Sequence, residues 1–421
     1  VSAPGLPARL AAAELLIGVL SDGIMLGDLV DRLPDDLPPP ARARAQSLAA
    51  MVLRNLEPID TVLEQFLTRK PPARAMQALR IAAAEMLIDE VAPHAAVDAA
   101  VRAARTDPKT ARLSGLVNAV ARNISREGFD IWAQMDPQRL PHWLRTPLVR
   151  AYGEDTVDAM ERVHAGGAPL DLTLRGDLPE GLEGEMAPTG TLRRYRPGQV
   201  SALPGYDEGA FWVQDAAAAL PARVLDAKPG ERVLDLCAAP GGKTLQLAAV
   251  GADVVALDIS SKRLERVRQN LDRTRLKAQI VRADALKWTP DAPFDAILLD
   301  APCTATGTLR RHPDLPFVKT GEENKSLVQL QRELLERAAQ WVKPGGRLVF
   351  CTCSLLPSEG EVPVARFLET HPDWTLDPID AEALGGDAEW AVDGALRLRP
   401  DFWAEQGGMD GFYIARLRKK A

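Results

Sequence analysis

At 421 residues the chain is long enough for two or three domains, each with a core of its own. A hydrophobic fraction of 46% is that of a globular protein, and a net charge of −7 excludes a uniformly basic nucleic-acid binder while leaving room for local basic patches. No apolar run approaches the roughly 20 residues of a membrane span, and "VSAPGLPARL" has neither the charged start nor the apolar stretch of a signal peptide. A cytoplasmic location, without disulfides or a membrane partner, is the expectation.

Residues 1–138 read as an all-helical domain. Leu6, Leu10, Ala13, Ile17 and Leu20 recur at helix-face spacing, as do Leu113, Leu116, Val117, Val120 and Ile124. Prolines break the helices at "RLPDDLPPPA" and "RKPPARA". Residues 139–207 are looser: "TPLVRAYGEDTVDAMERVHA" is helical, and the Gly- and Pro-rich stretch after it turns basic at Arg193, Arg194 and Arg196, which suggests a small α/β subdomain. Residues 208–421 alternate strand-like runs ("RVLDLC", "DVVALD", "QIVRAD", "FDAILLD", "RLVFCTC") with helical stretches. Such βα units predict a parallel, Rossmann-like sheet with helices on both faces. Ligands of such sheets bind at the carboxyl ends of the strands.

The four cysteines, Cys237, Cys303, Cys351 and Cys353, lack the paired spacing of a zinc site, so no metal is expected. "VLDLCAAPGGKTLQLAA" is a strand, a tight turn and a helix, with Gly241 and Gly242 letting a ligand approach free N–H groups at the helix start. Gly242-Lys243-Thr244 would fit the end of a phosphate-binding loop, but Cys237 stands where that motif needs its first glycine, and no G-x-G-x-x-G run is present. The remaining features suit S-adenosylmethionine. Asp258 ends the second strand, where a carboxylate can take ribose hydroxyls, and Asp284 follows the third, in reach of an adenine. Asp235 and Asp300 end the first and fourth.

"DLCAAPGGKT", "LDAPCTATGTLRRHPD" and "CTCSLLPSEGE", in that order, resemble the RNA 5-methylcytosine methyltransferases. "WVQDAAAALPARVL" is similar to the helix before their cofactor strand. "APHAAVDAAVRAAR" and "LSGLVNAVARN" resemble the NusB-like domain of one branch, the bacterial 16S ribosomal RNA methyltransferase B family of the Fmu/Sun type. The likeness spans nearly the whole chain. One motif departs from the family's usual Pro-Cys-Ser-Gly-Thr-Gly, reading Pro302-Cys303-Thr304-Ala305-Thr306-Gly307 here. The resemblance implies a multidomain protein: NusB-like helices, a small α+β middle part and a Rossmann-like methyltransferase domain. It also implies a cofactor site at Cys237, Ala238, Ala239, Pro240, Gly241, Gly242, Lys243, Asp258, Asp284 and Asp300, with Asp300 between the methionine end of S-adenosylmethionine and the target base.

Carbon 5 of cytosine is a poor nucleophile until a thiolate adds to carbon 6, so the reaction needs one activated cysteine and no metal. A free thiol ionises near a pKa of about 8.5, and Lys243 or a helix N-terminus is expected to lower that value. Chemistry alone leaves Cys303 and Cys353 as rivals, since both follow a strand end. The resemblance decides: the RNA family attacks with its Thr-Cys thiol, here Cys353, while the Pro-Cys thiol, Cys303, assists release. Cys351 reads as a buried packing residue one strand pair back.

The implied partner is 16S ribosomal RNA, bound by a monomer with its target base unpaired or flipped; DNA is not expected. Candidate backbone contacts are Arg102, Arg105, Lys109, Arg112, Arg122 and Arg126, then Arg193, Arg194 and Arg196, then Arg310, Arg311 and His312. Two other readings stand beside this one. They are a cytosine-C5 methyltransferase for another RNA such as tRNA, and a non-enzymatic RNA-binding factor suggested by the helical part alone.

Overall fold

Prolines set most of the helix starts in the first third of the chain. In the computed structural model, which describes residues 5–195 and 198–421, helices Leu6–Leu20, Pro39–Arg54 and Pro93–Arg105 carry proline in their first two positions, where a missing N–H costs no bond. Ala73–Leu87 follows Pro72 directly. Ala12, Leu16, Leu48, Val52, Leu79, Ala83, Val117 and Ile124 are fully buried in one core. Ala73–Leu87 runs through its middle, and its charges are paired as burial demands. Arg80 Nε donates to Asp60 at 2.7 Å, and Glu85 accepts from Arg9 at 2.8 Å and from Arg44 at 3.0 Å.

Two expected helix faces are corrected. In Leu6–Leu20 the buried residues are Ala8, Ala12, Leu15, Leu16 and Val19 together with Ala13 of the expected face, whereas Leu6, Leu10, Ile17 and Leu20 are only partly covered. Apart from Arg9 and Glu14 that helix is apolar all round, so periodicity of its apolar residues cannot select a face. In Ser114–Asn123, Leu116 is exposed while Val117 and Val120 are buried.

The chain divides into two compact units. The helical one comprises Val1–Thr146, Glu154–Gly167 and Leu309–Thr320, so a dozen residues from far along the sequence complete it. Asp314 accepts the Leu26 amide at 2.7 Å, Arg54 donates to the Arg310 carbonyl at 2.9 Å, and Phe317 and Val318 pack on the helical core. Arg310, expected to face RNA, is instead fully buried here, while Arg311 and His312 are exposed.

The other unit, Pro147–Gly153, Ala168–Thr308 and Gly321–Ala421, holds two sheets. Strands β1 (Leu170–Leu174), β2 (Glu185–Met186), β3 (Leu192–Arg194) and β4 (Phe211–Val213) form an antiparallel sheet in the order β2-β3-β1-β4. Leu172, Leu182, Leu192 and Phe211 fill its core. Arg193 is not an RNA contact: it is buried against Asp171, to which its Nε and Nη2 donate at 2.7 and 2.8 Å. Arg194 donates to the Glu183 carbonyl, and Arg196 lies outside the described residues.

The large sheet contains β5 (Arg232–Leu236), β6 (Asp253–Asp258), β7 (Gln279–Arg282), β8 (Phe294–Asp300), β9 (Val342–Thr352), β10 (Trp374–Leu376), β11 (Ala391–Val392), β12 (Ala395–Leu398) and β13 (Phe412–Lys419). Its order is β11-β12-β13-β9-β8-β5-β6-β7, with β10 on β13. Strands β5 to β9 are parallel as expected. The sheet as a whole is mixed, because β13 pairs antiparallel with β9, a C-terminal extension that no βα alternation announces. Register puts Leu236 beside Leu257 and Leu299, and Asp300 beside Cys351. The carboxyl ends carrying the motifs therefore share one edge.

Burial in the helical unit, together with the Arg310 and Arg54 guanidiniums, pushes His164 down to about 3. The unfolded chain, with an ordinary histidine near pKa 6.5, binds a proton that the folded state refuses, so this group removes stability as pH falls from about 6.5 toward 3. His164→Gln should abolish that dependence. Its unfolding free energy relative to the parent should rise by ~2 kcal/mol between about pH 7 and pH 5, measured by denaturant titration at each pH.

Candidate active site

The turn after β5 is shaped by backbone conformations that few residues adopt. Cys237 has φ 63° and Gly241 φ 106°, and Gly242 then opens the helix Gly242–Ala249. A side chain at Gly241 would be strained at that φ and would crowd Val267. A Cβ at Gly242 would press on the Gln214 amide at 3.3 Å. Gln214 is fixed by Trp212 Nε1 at 2.8 Å, Thr173 Oγ1 at 2.9 Å and Gln246 at 2.8 Å. This gives the "WVQD" run its purpose: it backs the turn.

Of the four strand-end aspartates, three face the edge and one does not. Asp258 accepts the Ala239 and Ser260 amides at 3.2 and 2.8 Å, binding the turn to the end of β6. Asp284 accepts the Leu286 amide at 3.0 Å with its carboxylate a third exposed. Asp300 accepts Lys243 Nζ at 2.8 Å. Asp235 is instead a core acid: burial pushes it up to about 7, and Thr244 Oγ1 donates to it at 2.5 Å. Ile259, 65% exposed right after Asp258, adds an apolar surface at this edge that the sequence reading did not single out; an isoleucine directly after a strand-end aspartate is the signal available for it.

Lys243 is buried, which works against its charge, yet Asp300 outweighs burial and the lysine is held above its ordinary value. Its partner is Asp300, not either candidate thiol, which corrects its expected role as thiol activator. Cys351 is buried as expected but is more than filler: its thiol donates to the other Asp300 oxygen at 3.5 Å. Burial and that carboxylate raise the Cys351 thiol. Cys237 is raised by burial and by Asp258.

Cys303 and Cys353, fifty positions apart, meet with their sulfurs at 3.5 Å. The contact with Cys353, then burial, hold Cys303 well above the ordinary thiol range, with the charge of Glu359 adding to the effect. The two loops are laced together: Ala301 N–H donates to Cys351 O and Gly307 N–H to Cys353 O, both at 2.9 Å. Gly411 N–H donates to Gly307 O at 2.8 Å, and any side chain at Gly307 would run into the Gly411 carbonyl. Ala305 sits at φ 59°, at the position where the resembling motif carries glycine, a left-handed conformation that costs alanine about 1 kcal/mol. The Cys353 loop is further held by Tyr152 Oη on Leu355 O at 2.7 Å and by the buried Arg397 on Ser354 O at 2.6 Å.

Gly241 and Gly242 bare the backbone at a helix start, Ile259 offers apolar surface, and Asp258 and Asp284 supply acceptors on adjoining strands. These features fit S-adenosylmethionine. Among the described residues no three His, Cys, Asp or Glu side chains group to hold a metal ion, and no helix is long and apolar enough to cross a membrane.

Residues 222–418 match the family described as 16S rRNA methyltransferase RsmB/F, and residues 6–126 match the NusB family. A ribosomal RNA small subunit methyltransferase B of Xanthomonas campestris is 37% identical over 99% of this chain and 98% of its own. One from Klebsiella pneumoniae is 34% identical over 98% of each. The crystal structure of PH0851 shares the fold with a TM-score of 0.69 at 24% identity, covering 100% of both chains. Fold and site thus define an S-adenosylmethionine-dependent methyltransferase. Within that class the chain belongs to the 16S rRNA methyltransferase RsmB/F family, in its NusB-bearing form.

Removing Lys243 would leave Asp300 partly buried without its counter-charge. Lys243→Met should lower methyl transfer by about 100-fold while the melting temperature shows the protein folded, with activity assayed by tritiated methyl incorporation into RNA.

Proposed function

We propose that this protein methylates carbon 5 of a cytosine in 16S ribosomal RNA, with Cys353 as the attacking thiol and Cys303 as the thiol that helps release the product. The observation that carries the reading is the 3.5 Å contact of these two sulfurs at the strand edge that also bears Asp300. Cys353 loses its proton and its sulfur bonds to carbon 6 of the base, which moves electron density to carbon 5. Bound S-adenosylmethionine supplies the electrophilic methyl group. The proton on carbon 5 then passes to a base, its electron pair re-forms the double bond between carbons 5 and 6, and the Cys353 sulfur leaves as a thiolate. Cys303 assists that last step: contact with Cys353 and burial raise its thiol, so its thiolate is a strong proton acceptor. Asp300, oriented by Lys243 and Cys351, is the group that balances charge on the ring.

The cofactor would be held by Cys237 to Lys243, Asp258 for the ribose, Asp284 and Ile259 for the adenine. Arg102, Arg105, Lys109, Arg112, Arg122 and Arg126 are all exposed and would track RNA phosphates; Arg102 is shared with Asp98 at 2.8 Å. Relatives named for the small ribosomal subunit that match over 98% of the chain favour this RNA over tRNA. The reading includes a monomer acting in the cytoplasm, with neither DNA nor membrane as partner.

Cys353→Ala should abolish methyl transfer, whereas Cys303→Ala should accumulate a covalent protein–RNA adduct visible as a shifted band on a denaturing gel; the reverse pattern would exchange the two roles. Bisulfite sequencing of ribosomal RNA from a deletion strain should show one 16S cytosine newly converted. An unchanged 16S pattern would overturn the substrate.

A further inference from the structure

Both cysteine loops converge on one side chain that has no part in the chemistry above. Glu359, fully buried in the turn Pro357–Glu359, accepts four hydrogen bonds from three residues. Its Oε1 takes the Thr304 amide at 2.9 Å and Gln331 Nε2 at 3.1 Å. Its Oε2 takes Ser354 Oγ at 2.6 Å and the Thr304 hydroxyl. Its backbone carbonyl accepts Thr352 Oγ1 at 3.0 Å. Thr352 and Ser354 flank Cys353. Thr304 follows Cys303, and Gln331 also donates to the carbonyl of Pro302, which precedes it, at 2.8 Å. One residue thereby grips both neighbours of each thiol, directly or through a single amide.

We infer that Glu359 is a positioning residue that holds the Cys303 and Cys353 loops as one rigid pair. The proposal rests on the reading of those thiols as the reacting ones. A carboxylate suits the task because its two oxygens offer about four acceptor sites, and four donors fill them here. An amide in its place would turn an N–H₂ toward donors, leaving buried polar groups opposed and unpaired. The neighbouring Glu361 cannot substitute, since Arg397 engages both its oxygens, at 2.9 and 2.5 Å.

The test measures single-turnover methyl transfer per titrated active site together with the pH profile of Cys303 alkylation, read by peptide mass spectrometry. Glu359→Gln should slow methyl transfer by about 100-fold with S-adenosylmethionine affinity within about 2-fold. It should also move the Cys303 alkylation profile to lower pH, because a negative charge beside that thiol is gone. Glu359→Asp, which keeps the charge on a shorter arm, should recover about 10-fold of the loss. Should Glu359→Gln fail to fold, Ser354→Ala removes a single donor and should still cost about 10-fold. An unchanged rate per site with an unmoved alkylation profile would overturn the positioning role. Alkylation reads the influence of Glu359 on Cys303 whichever thiol attacks, so survival of activity in Cys353→Ala would sink the assignment of the nucleophile separately.

Discussion

The site depends on the parallel pairing of β8 with β9 in a register that sets Asp300 opposite Cys351. Parallel strands release their loops from the same edge. Cys303 stands three residues beyond Asp300 and Cys353 two beyond Cys351, so segments fifty positions apart begin side by side. A slip of one residue would turn every side chain of β9 to the other face, sending Cys351 away from Asp300. Deep apolar burial on both faces of these strands, with Ile297, Leu299, Leu348 and Phe350 on one side and Ala296, Leu298 and Val349 on the other, opposes that slip. The chemistry is therefore specified first by the packing of aliphatic side chains.

Around that edge the electrostatics are lopsided. Asp235, Asp258 and Asp300 gather near one buried lysine, and each influences its neighbours: Asp235 is driven toward neutrality and the Cys237 and Cys351 thiols are raised. Those two thiols therefore favour their protonated form, as suits residues that the proposed reaction does not use.

Much of this was legible in the residues. Apolar runs ending in aspartate gave β5, β6 and β8 with their functional ends, because strands covered on both faces read as continuous hydrophobic stretches. The glycine turn, Lys243 and the two thiol motifs were visible for the same reason, since their backbone demands constrain residue type. Other features were not. Composition shows that Arg193 and Arg310 are charged but not that Asp171 or a helical core encloses them. Leu6–Leu20, apolar but for Arg9 and Glu14, carries no clear stripe to read. Glu359 looks like any glutamate in a polar turn, since its partners Thr304 and Gln331 arrive from distant segments. A pairing fixed by tertiary structure leaves no local periodicity.

The helical unit closes with Leu309–Thr320, and this bears on how the molecule is made. Translation proceeds at roughly 5–20 residues per second, so the residues that cover Leu26 and Arg54 leave the ribosome on the order of 15–60 seconds after the first helices. Until then those helices present an unfinished core to the cell. The last step in completing the amino-terminal half is thus deferred until the strand that leads to Cys303 has been synthesised, and a nascent chain cut short before residue 309 would leave neither half whole.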